Sequence, residues 1–321
     1  MALRTKLTER LGIRHPVLLA PMGGASGGAL AGAVTAAGGL GLIGAGYGDA
    51  AWLEREFAAA GNHRVGCGFI TWSLAKKPEL LDLALARRPA AIMLSFGDAA
   101  PFLPKIKAAG AVAICQVQSL TQARTVLAEG ADIIVAQGTE AGGHGAARAL
   151  LPLVPAVADA VTAAGSPALT VAAGGIADGR GLAAALMLGA EGALVGSRFY
   201  ASAESLAHPR AKERVVAGSG DDTLRTSVFD IARGIDWPAP YTGRALANEL
   251  SRRWHGREAA LKAEAAAEAA RYAAAAEAGD FDTAVVFTGE GADLIRAVEP
   301  ARDILERMVA EAEAALARRF A

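Results

Sequence analysis

Aromatic residues, cysteine and net charge are all scarce in this sequence. Phe, Trp and Tyr make up 5% of its 321 residues, and the formal net charge is −1 at pH 7. Nucleic-acid binding usually needs a basic surface or aromatic stacking platforms, so no nucleic-acid partner is expected. The two cysteines, Cys67 and Cys115, lie inside apolar runs without the spacing of a metal site or a disulfide framework, which predicts buried thiols and no metal.

A membrane-spanning segment and a secretion signal are lacking as well. Residues 1–14 are charged and contain no hydrophobic signal-peptide core. Every long apolar stretch is interrupted by glycine or by a charge before it reaches the length that spans a bilayer. We therefore expect a cytoplasmic protein without a membrane partner.

Short apolar runs are abundant, and hydrophobic residues make up 53% of the sequence. Eight such runs precede residue 200, and none alternates with polar residues, which indicates strands buried on both faces, as in a parallel sheet. Helix-like stretches separate the runs, and several of these stretches end in glycine, such as Gly38 and Gly110. This alternation predicts an α/β fold, a (β/α)8 TIM barrel, with an open doubly wound sheet as the alternative. The runs are residues 16–20, 41–44, 65–70, 91–94, 111–115, 133–135, 168–172 and 192–195.

Beyond residue 200 the alternation of strand and helix stops. The pattern favours a smaller C-terminal helical cap domain, residues 203–299, over the mouth of a barrel made of residues 1–202 and 300–321. The last helix is expected to return to the barrel wall. The elements expected are a helix at 208–217, an irregular segment at 221–243, one long helical region at 246–278 and a final amphipathic helix at 301–319.

One glycine-rich loop carries the strongest chemical signal. Residues 136–145 read AQGTEAGGHG and directly follow the strand-like residues 131–135. They place His144 at the carboxyl end of a strand, where TIM barrels carry their chemistry. Imidazole exchanges a proton near neutral pH, so His144 is the candidate catalytic base, with a structural loop histidine as the alternative.

Two further loops predict a phosphate site. Gly174 and Gly175 follow the seventh run, and Gly196 and Ser197 follow the eighth. In TIM barrels these two loops often bind phosphate through backbone N–H groups. Residues 39–44 also spell GxGxxG, but this motif overlaps a strand instead of following one, and we interpret it as a chance match.

Four motifs in this order resemble the nitronate monooxygenase family, whose members were formerly called 2-nitropropane dioxygenases. They are APMGG at residues 20–24, QGTEAGGH at 137–144, AGGIADG at 173–179, and GA followed by GSRF between 189 and 199. The resemblance covers nearly the whole chain and implies an FMN-dependent TIM barrel. Flavin-dependent enoyl-ACP reductases and some NADH:quinone reductases share the barrel, the flavin and the histidine, so the motifs are less specific for the reaction.

The resemblance also implies roles for individual residues. FMN would bind without a covalent link, and His144 would act as the catalytic base. Family members often have an asparagine after the third strand, whereas residues 68–72 read GFITW here, so Thr71 or backbone groups would replace that contact. The cofactor-binding residues implied are Pro21, Met22 and Gly23 at the isoalloxazine, Ser95, Gln116, Gln137, Gly142 and Gly143 around the flavin, and Gly174, Gly175, Gly196 and Ser197 at the phosphate.

The function implied is an FMN-dependent nitronate monooxygenase that converts alkyl nitronates, such as propionate 3-nitronate, or nitroalkanes with O2 into carbonyl compounds and nitrite. The alternatives are an NADH-dependent enoyl-ACP or quinone reductase and a phosphate-binding barrel without catalysis. A homodimer is one expected assembly.

One of Arg225, Arg233 and Arg244 is a candidate for binding an anionic substrate group, with ordinary ion pairing as the alternative. The aromatic candidates for setting the pocket size, with core packing as the equal alternative, are Phe69, Trp72, Phe96, Trp237 and Tyr241.

Overall fold

The computed structural model describes residues 3–318, and short parallel strands form its centre. The eight central strands are β1 (Val17–Leu19), β2 (Leu42–Gly44), β3 (Gly66–Ile70), β4 (Ala91–Ser95), β5 (Val112–Val117), β6 (Ile133–Gln137), β8 (Leu169–Ala173) and β9 (Ala193–Val195). A second sheet contains β7 (Gly143–Gly145), β10 (Thr223–Thr226) and β11 (Thr242–Leu246).

The eight central strands close into a ring. Hydrogen bonds join them in parallel in the order β1-β9-β8-β6-β5-β4-β3-β2. Leu18 of β1 also pairs in parallel with Leu40, just before β2, which brings the two ends of the sheet together. The predicted TIM barrel is confirmed, because an open doubly wound sheet would leave these two edges apart. Each of the eight predicted apolar runs overlaps one strand of the ring.

Helices connect the strands and cover the outside of the ring. Within residues 3–318, no helix combines the length and the apolar character needed to cross a membrane. The helices are α1 (Lys6–Leu11), α2 (Gly28–Ala36), α3 (Ala50–Ala59), α4 (Thr71–Leu74), α5 (Glu79–Ala86), α6 (Leu103–Ala108), α7 (Leu120–Ala128), α8 (Leu150–Ala163), α9 (Gly179–Met187), α10 (Ser197–Tyr200), α11 (Pro209–Ala217), α12 (Val228–Ala232), α13 (Glu249–Trp254), α14 (Glu258–Ala263), α15 (Ala265–Ala278) and α16 (Ala301–Leu316).

The strands bury apolar side chains on both faces, as their unbroken hydrophobic runs predict. Ile43 and Ile92 belong to the cluster that also contains the helix residues Leu53 and Leu182, so they face the helical layer. Met93, the next residue along β4, belongs to a separate cluster that consists mainly of strand residues and includes Leu7 of α1. Because successive strand residues point to opposite faces, this second cluster fills the interior of the ring.

The second sheet joins the histidine loop to the chain beyond residue 220. β7 pairs antiparallel with β11, and β11 pairs antiparallel with β10. His144 lies opposite Gly243 in this sheet. The prediction of an irregular segment at 221–243 is therefore wrong in part, because this segment contains β10, α12 and the start of β11. These strands depend on pairing with a distant loop, which a local pattern does not show.

The region 246–278 is also not one long helical region, because it contains three separate helices. α13 begins at a capping box in which Asn248 and Ser251 satisfy each other's backbone N–H groups. It ends before Gly256, whose φ of +78° is left-handed and stops a helix. The buried side chains of Phe229, Trp254 and Tyr272 then form a small core between these helices and α12.

The final helix returns to the barrel, as expected. Ile304, Leu305 and Met308 of α16 share the buried cluster of the barrel helices. The predicted end of this helix at Arg319 lies outside the described residues, as do residues 1, 2, 320 and 321 of the predicted barrel. The division into a barrel and a cap domain stays a prediction, since β7 of the one segment forms a sheet with β10 and β11 of the other.

We predict that Gly179→Ala lowers the free energy of unfolding by about 1–3 kcal/mol, the usual effect of overpacking. A Cβ at Gly179 would overlap the backbone of α16 at Met308 and Ala312, so the helix would have to move away from the barrel. Urea denaturation measures the change. Ala184→Ser on the exposed side of α9 is the matched control, with an expected change within about 0.5 kcal/mol. Equal stability of the two variants would contradict this account of the α9–α16 contact.

Candidate active site

A cavity of about 700 Å³ lies at the rim formed by the carboxyl ends of the barrel strands. A parallel ring brings the loops after all its strands to one rim, so residues far apart in sequence meet there. All thirteen candidate site residues line this cavity, although their individual roles stay predictions. They are Pro21, Met22, Gly23, Ser95, Gln116, Gln137, Gly142, Gly143, His144, Gly174, Gly175, Gly196 and Ser197.

One end of the cavity offers free backbone donors. Gly174 and Gly175 have φ values of +123° and +67°, a conformation that favours glycine. In the described part of the chain, the N–H groups of Gly175, Ile176 and Ser197 donate no hydrogen bond to protein. The Ser197 hydroxyl oxygen accepts from the Gly289 N–H at 3.0 Å, which leaves its O–H free to donate. Convergent N–H and O–H donors of this kind bind an anion such as phosphate.

The loop after β1 forms a second wall. The Ser26 hydroxyl accepts from the Met22 N–H at 2.6 Å and donates to the Met22 carbonyl at 3.1 Å, which fixes the turn. Pro21 packs where a side chain on Gly68 would otherwise lie. Thr71 is buried in α4 and does not line the cavity, and its hydroxyl makes no hydrogen bond within the described residues, so its contact with a ligand stays a prediction. The backbone at Ile70, which does line the cavity, remains the candidate for that contact.

Two glutamines connect the barrel to the histidine loop. Gln137, at the end of β6, donates from Nε2 to the carbonyl oxygen of His144 at 3.0 Å. Its Oε1 accepts from Nε2 of the buried Gln118 at 2.8 Å. Gln118 was not a sequence candidate, and it acts on the loop only through Gln137. Ser95 and Gln116, at the ends of β4 and β5, line the cavity beside them.

His144 is paired with a buried carboxylate. Its Nε2 lies 2.8 Å from Oδ2 of Asp230 on α12, and the two side chains are 9% and 4% exposed. Burial lowers the pKa of His144, the hydrogen bond and charge of Asp230 oppose that shift, and Arg233 and Arg225 add to it. The lowered pKa favours the neutral imidazole. Because the carboxylate accepts from Nε2–H, the free lone pair is on Nδ1, as a proton acceptor requires.

Aromatic rings surround the histidine. The Trp237 ring stacks on the imidazole at a centroid distance of 3.5 Å and an angle of 7°, and Phe287 lies 5.5 Å away. The Trp237 Nε1–H donates to the Tyr47 hydroxyl at 2.9 Å, which holds the stacked ring in place. Of the five aromatic candidates, Phe69, Phe96 and Trp237 line the cavity, whereas Trp72 and Tyr241 pack behind Trp237 and Phe96.

The three candidate arginines have different surroundings. Arg225 donates to the carbonyl oxygens of Thr139, Ala141 and Thr242, and burial lowers its pKa to about 10, so it stays charged at neutral pH. Arg244 also donates to the Thr139 carbonyl, and it pairs with Glu290. These two side chains hold the histidine loop, whereas Arg233 lines the cavity.

Sequence reasoning missed Asp230, Gln118, Tyr47 and Phe287. Asp230 is 86 positions from His144 and lies in a segment predicted to be irregular, so no spacing rule connects the two. In a sequence, an aspartate that pairs with a buried histidine cannot be distinguished from an aspartate that is solvated at the surface. The sequence offered one signal, namely that Asp230 follows the segment Thr223–Thr226. This segment becomes a strand by pairing with β11.

Known proteins resemble this chain in sequence. The nitronate monooxygenase family matches residues 4–63 and 75–311. A nitronate monooxygenase of Neurospora crassa is 30% identical over 345 aligned positions, covering 94% of this chain and 90% of that protein. A Mycobacterium tuberculosis protein named (3aS,4S,5R,7aS)-5-hydroxy-7a-methyl-1-oxo-octahydro-1H-indene-4-carboxyl-CoA dehydrogenase is 36% identical over 237 residues, 72% of this chain. That match spans 65% of the dehydrogenase, less than two thirds of its length.

Two solved structures share the whole fold. FabK from Thermotoga maritima superposes with a TM-score of 0.83 at 30% identity, covering 97% of this chain and 96% of that one. The nitroalkane oxidase from Streptomyces ansochromogenes gives a TM-score of 0.78 at 28% identity, covering 96% and 98%. Since the family match covers most of the sequence and includes the histidine loop and both glycine-rich loops, the chain belongs to the nitronate monooxygenase family.

Proposed function

We propose that this chain is an FMN-dependent nitronate monooxygenase that oxidises alkyl nitronates, such as propionate 3-nitronate, or nitroalkanes with O2 to carbonyl compounds and nitrite. The observation that carries the proposal is the aspartate-paired His144 in the wall of a cavity at the carboxyl rim of the barrel. Family membership supports the reaction class. O2 as co-substrate, a homodimeric assembly and a cytoplasmic location belong to the same proposal and stay predictions.

The residues of the cavity fit FMN. The family is in general flavin-dependent, and a volume of about 700 Å³ lies within the usual range of cofactor sites. The free N–H groups of Gly175 and Ser197 suit the phosphate. The residues that would contact the ring system are Pro21, Met22, Gly23, Ser95, Gln116, Gln137, Gly142 and Gly143, with Gly174 and Gly196 beside the phosphate. When bound, FMN would supply the electron transfer that the side chains cannot perform.

The first step to which the protein's own side chains would contribute is a proton transfer. A neutral nitroalkane is acidic at the carbon that bears the nitro group, and Nδ1 of His144 would take that proton while the electron pair moves onto the nitro group. Asp230 would keep Nε2 protonated and stabilise the imidazolium that forms. An anionic nitronate has already lost its proton, so His144 would only hold and orient it. Burial of the pair excludes water from the base.

The first experiment is oxygen uptake by the purified protein with propionate 3-nitronate and without NADH. We expect rapid uptake with release of nitrite, and FMN as the flavin released on denaturation, identified by mass spectrometry. Propionate, which lacks the nitro group, is the matched control substrate. A protein that holds its flavin intact but takes up no oxygen would overturn the monooxygenase assignment.

The second candidate is an NADH-dependent flavin reductase acting on an enoyl thioester or a quinone. The similarity to FabK over 97% of the chain favours it, as does the relative named as a carboxyl-CoA dehydrogenase. The same protein sample decides between the two, because a reductase would oxidise NADH under anaerobic conditions when given crotonyl-CoA or a quinone. A monooxygenase would not.

For His144→Asn, we predict retained FMN and a loss of about 10²–10⁴-fold in kcat/KM for nitroethane, the usual contribution of a placed base. The loss for ethyl nitronate should be much smaller, since that substrate needs no deprotonation. Steady-state oxygen uptake with both substrates measures the difference, and flavin absorbance checks cofactor content. Full activity on nitroethane would refute the assignment of the base.

For Asp230→Asn, we predict a lower kcat on nitroethane and an acid limb of the pH–rate profile that moves to lower pH. Asp230 raises the pKa of His144, so removing its charge lowers that pKa further and keeps the imidazole neutral in more acidic solution. The base is then weaker and less well oriented. The matched control is Asp221→Asn on the exposed part of the cap. An unchanged acid limb in the Asp230 variant would show that this residue has no positioning role.

A further inference from the structure

Arg233 presents a positive charge to the cavity next to the His144–Asp230 pair. It directly follows α12, three residues after Asp230, and its side chain is 24% exposed. The guanidinium carbon lies 5.7 Å from the ring centroid of Tyr47 and 6.0 Å from that of Phe287. Two aromatic faces therefore hold this charged group at the cavity wall.

The guanidinium has an unused donor. Nη1 of Arg233 is buried and makes no hydrogen bond within the described chain. Nη1 forms an ion pair with Oδ1 of Asp230 at 3.7 Å, which is beyond hydrogen-bond distance, while Oδ2 of Asp230 is engaged by His144. A buried donor on a charged group is costly to leave unpaired, and such a group becomes satisfied when a ligand supplies the acceptor.

The other charged groups of the cavity wall are already engaged. Lys77 donates to the Gly48 carbonyl at 2.7 Å, and Asp49 accepts from the Trp52 N–H at 2.9 Å as the cap of α3. Among the described residues that line the cavity, Arg233 is thus the charged side chain with a free, buried donor. Its planar donors suit an oxyanion with two oxygen atoms in one plane.

We propose that Arg233 binds an oxyanion of the substrate and makes this site selective for substrates with negative charge. The proposal rests on the proposed function, since it assigns the substrate to this cavity. A carboxylate on the substrate's tail and the nitronate group itself share the required chemistry, because both present two oxygen atoms that carry one negative charge. Arg233 would also offset the repulsion that Asp230 exerts on such an anion.

The test is calorimetric binding to the flavin-loaded protein and its Arg233→Gln variant. The probes are 3-nitropropionate, which carries the carboxylate alone, ethyl nitronate, which carries the nitronate alone, and neutral nitroethane. We expect at least one anionic probe to bind about 10- to 100-fold more weakly to the variant, the effect of losing a hydrogen bond to a charged group. Nitroethane should bind within about twofold of wild type, and Arg233→Lys should recover part of the loss. The anionic probe whose binding is weakened identifies the oxyanion that Arg233 binds.

The matched control is Lys76→Gln, which removes a nearby positive charge that stacks on Trp72 and is not part of the cavity wall. It should leave all three affinities unchanged. Thermal unfolding checks that every variant is folded. Unchanged binding of both anions to Arg233→Gln would overturn the proposal, and so would an equal loss for nitroethane, which would mean that Arg233 only shapes the cavity. The binding measurement does not require the protein to turn over a substrate. It therefore tests the role of Arg233 even if the wild type consumes no oxygen.

Discussion

The hydrogen bond between His144 and Asp230 is the interaction on which the site depends. It joins a loop of the barrel to a helix of the chain beyond residue 200, and both side chains are almost fully buried. Several other contacts serve it. The second sheet holds the histidine backbone against β11, Gln137 holds its carbonyl oxygen, and Trp237 covers one face of its ring. An imidazole that is fixed on so many sides keeps one tautomer and one orientation.

The same pair also decides how charge is distributed in the cavity. Burial favours a neutral imidazole, whereas the carboxylate favours the charged form, and the balance leaves the ring able to accept a proton at neutral pH. Arg225 and Arg244 direct their charge onto carbonyl oxygens of the histidine loop instead of into the cavity. Three arginines that look alike in sequence therefore divide into two that support a loop and one that lines the cavity.

Much of the barrel could be predicted from sequence, because buried parallel strands leave an unbroken apolar pattern and glycines mark the ends of helices. The resemblance to a family added the thirteen site residues, which the strand ends bring to one rim. The partner Asp230 could not be found in this way. Its role comes from a contact across 86 positions, and the sheet that creates this contact forms between three short segments without a strong local preference. The separate helices at 246–278 were missed because the region contains a single strong helix breaker, Gly256, which marks the end of α13, whereas the break between α14 and α15 falls at Glu264, a residue that favours helix.

The segment between α12 and β11 has both of its ends anchored, the first by the contact of Asp230 with the base and the second by the pairing of Gly243 with His144. Between these anchors the chain carries Arg233 and Trp237, which form part of the cavity wall. Trp237 also stacks on the imidazole, and the charge of Arg233 lowers the pKa of His144. A substitution in this segment therefore changes the cavity wall and the surroundings of His144 together, so that ligand binding and the proton affinity of the imidazole are coupled through one short stretch of chain.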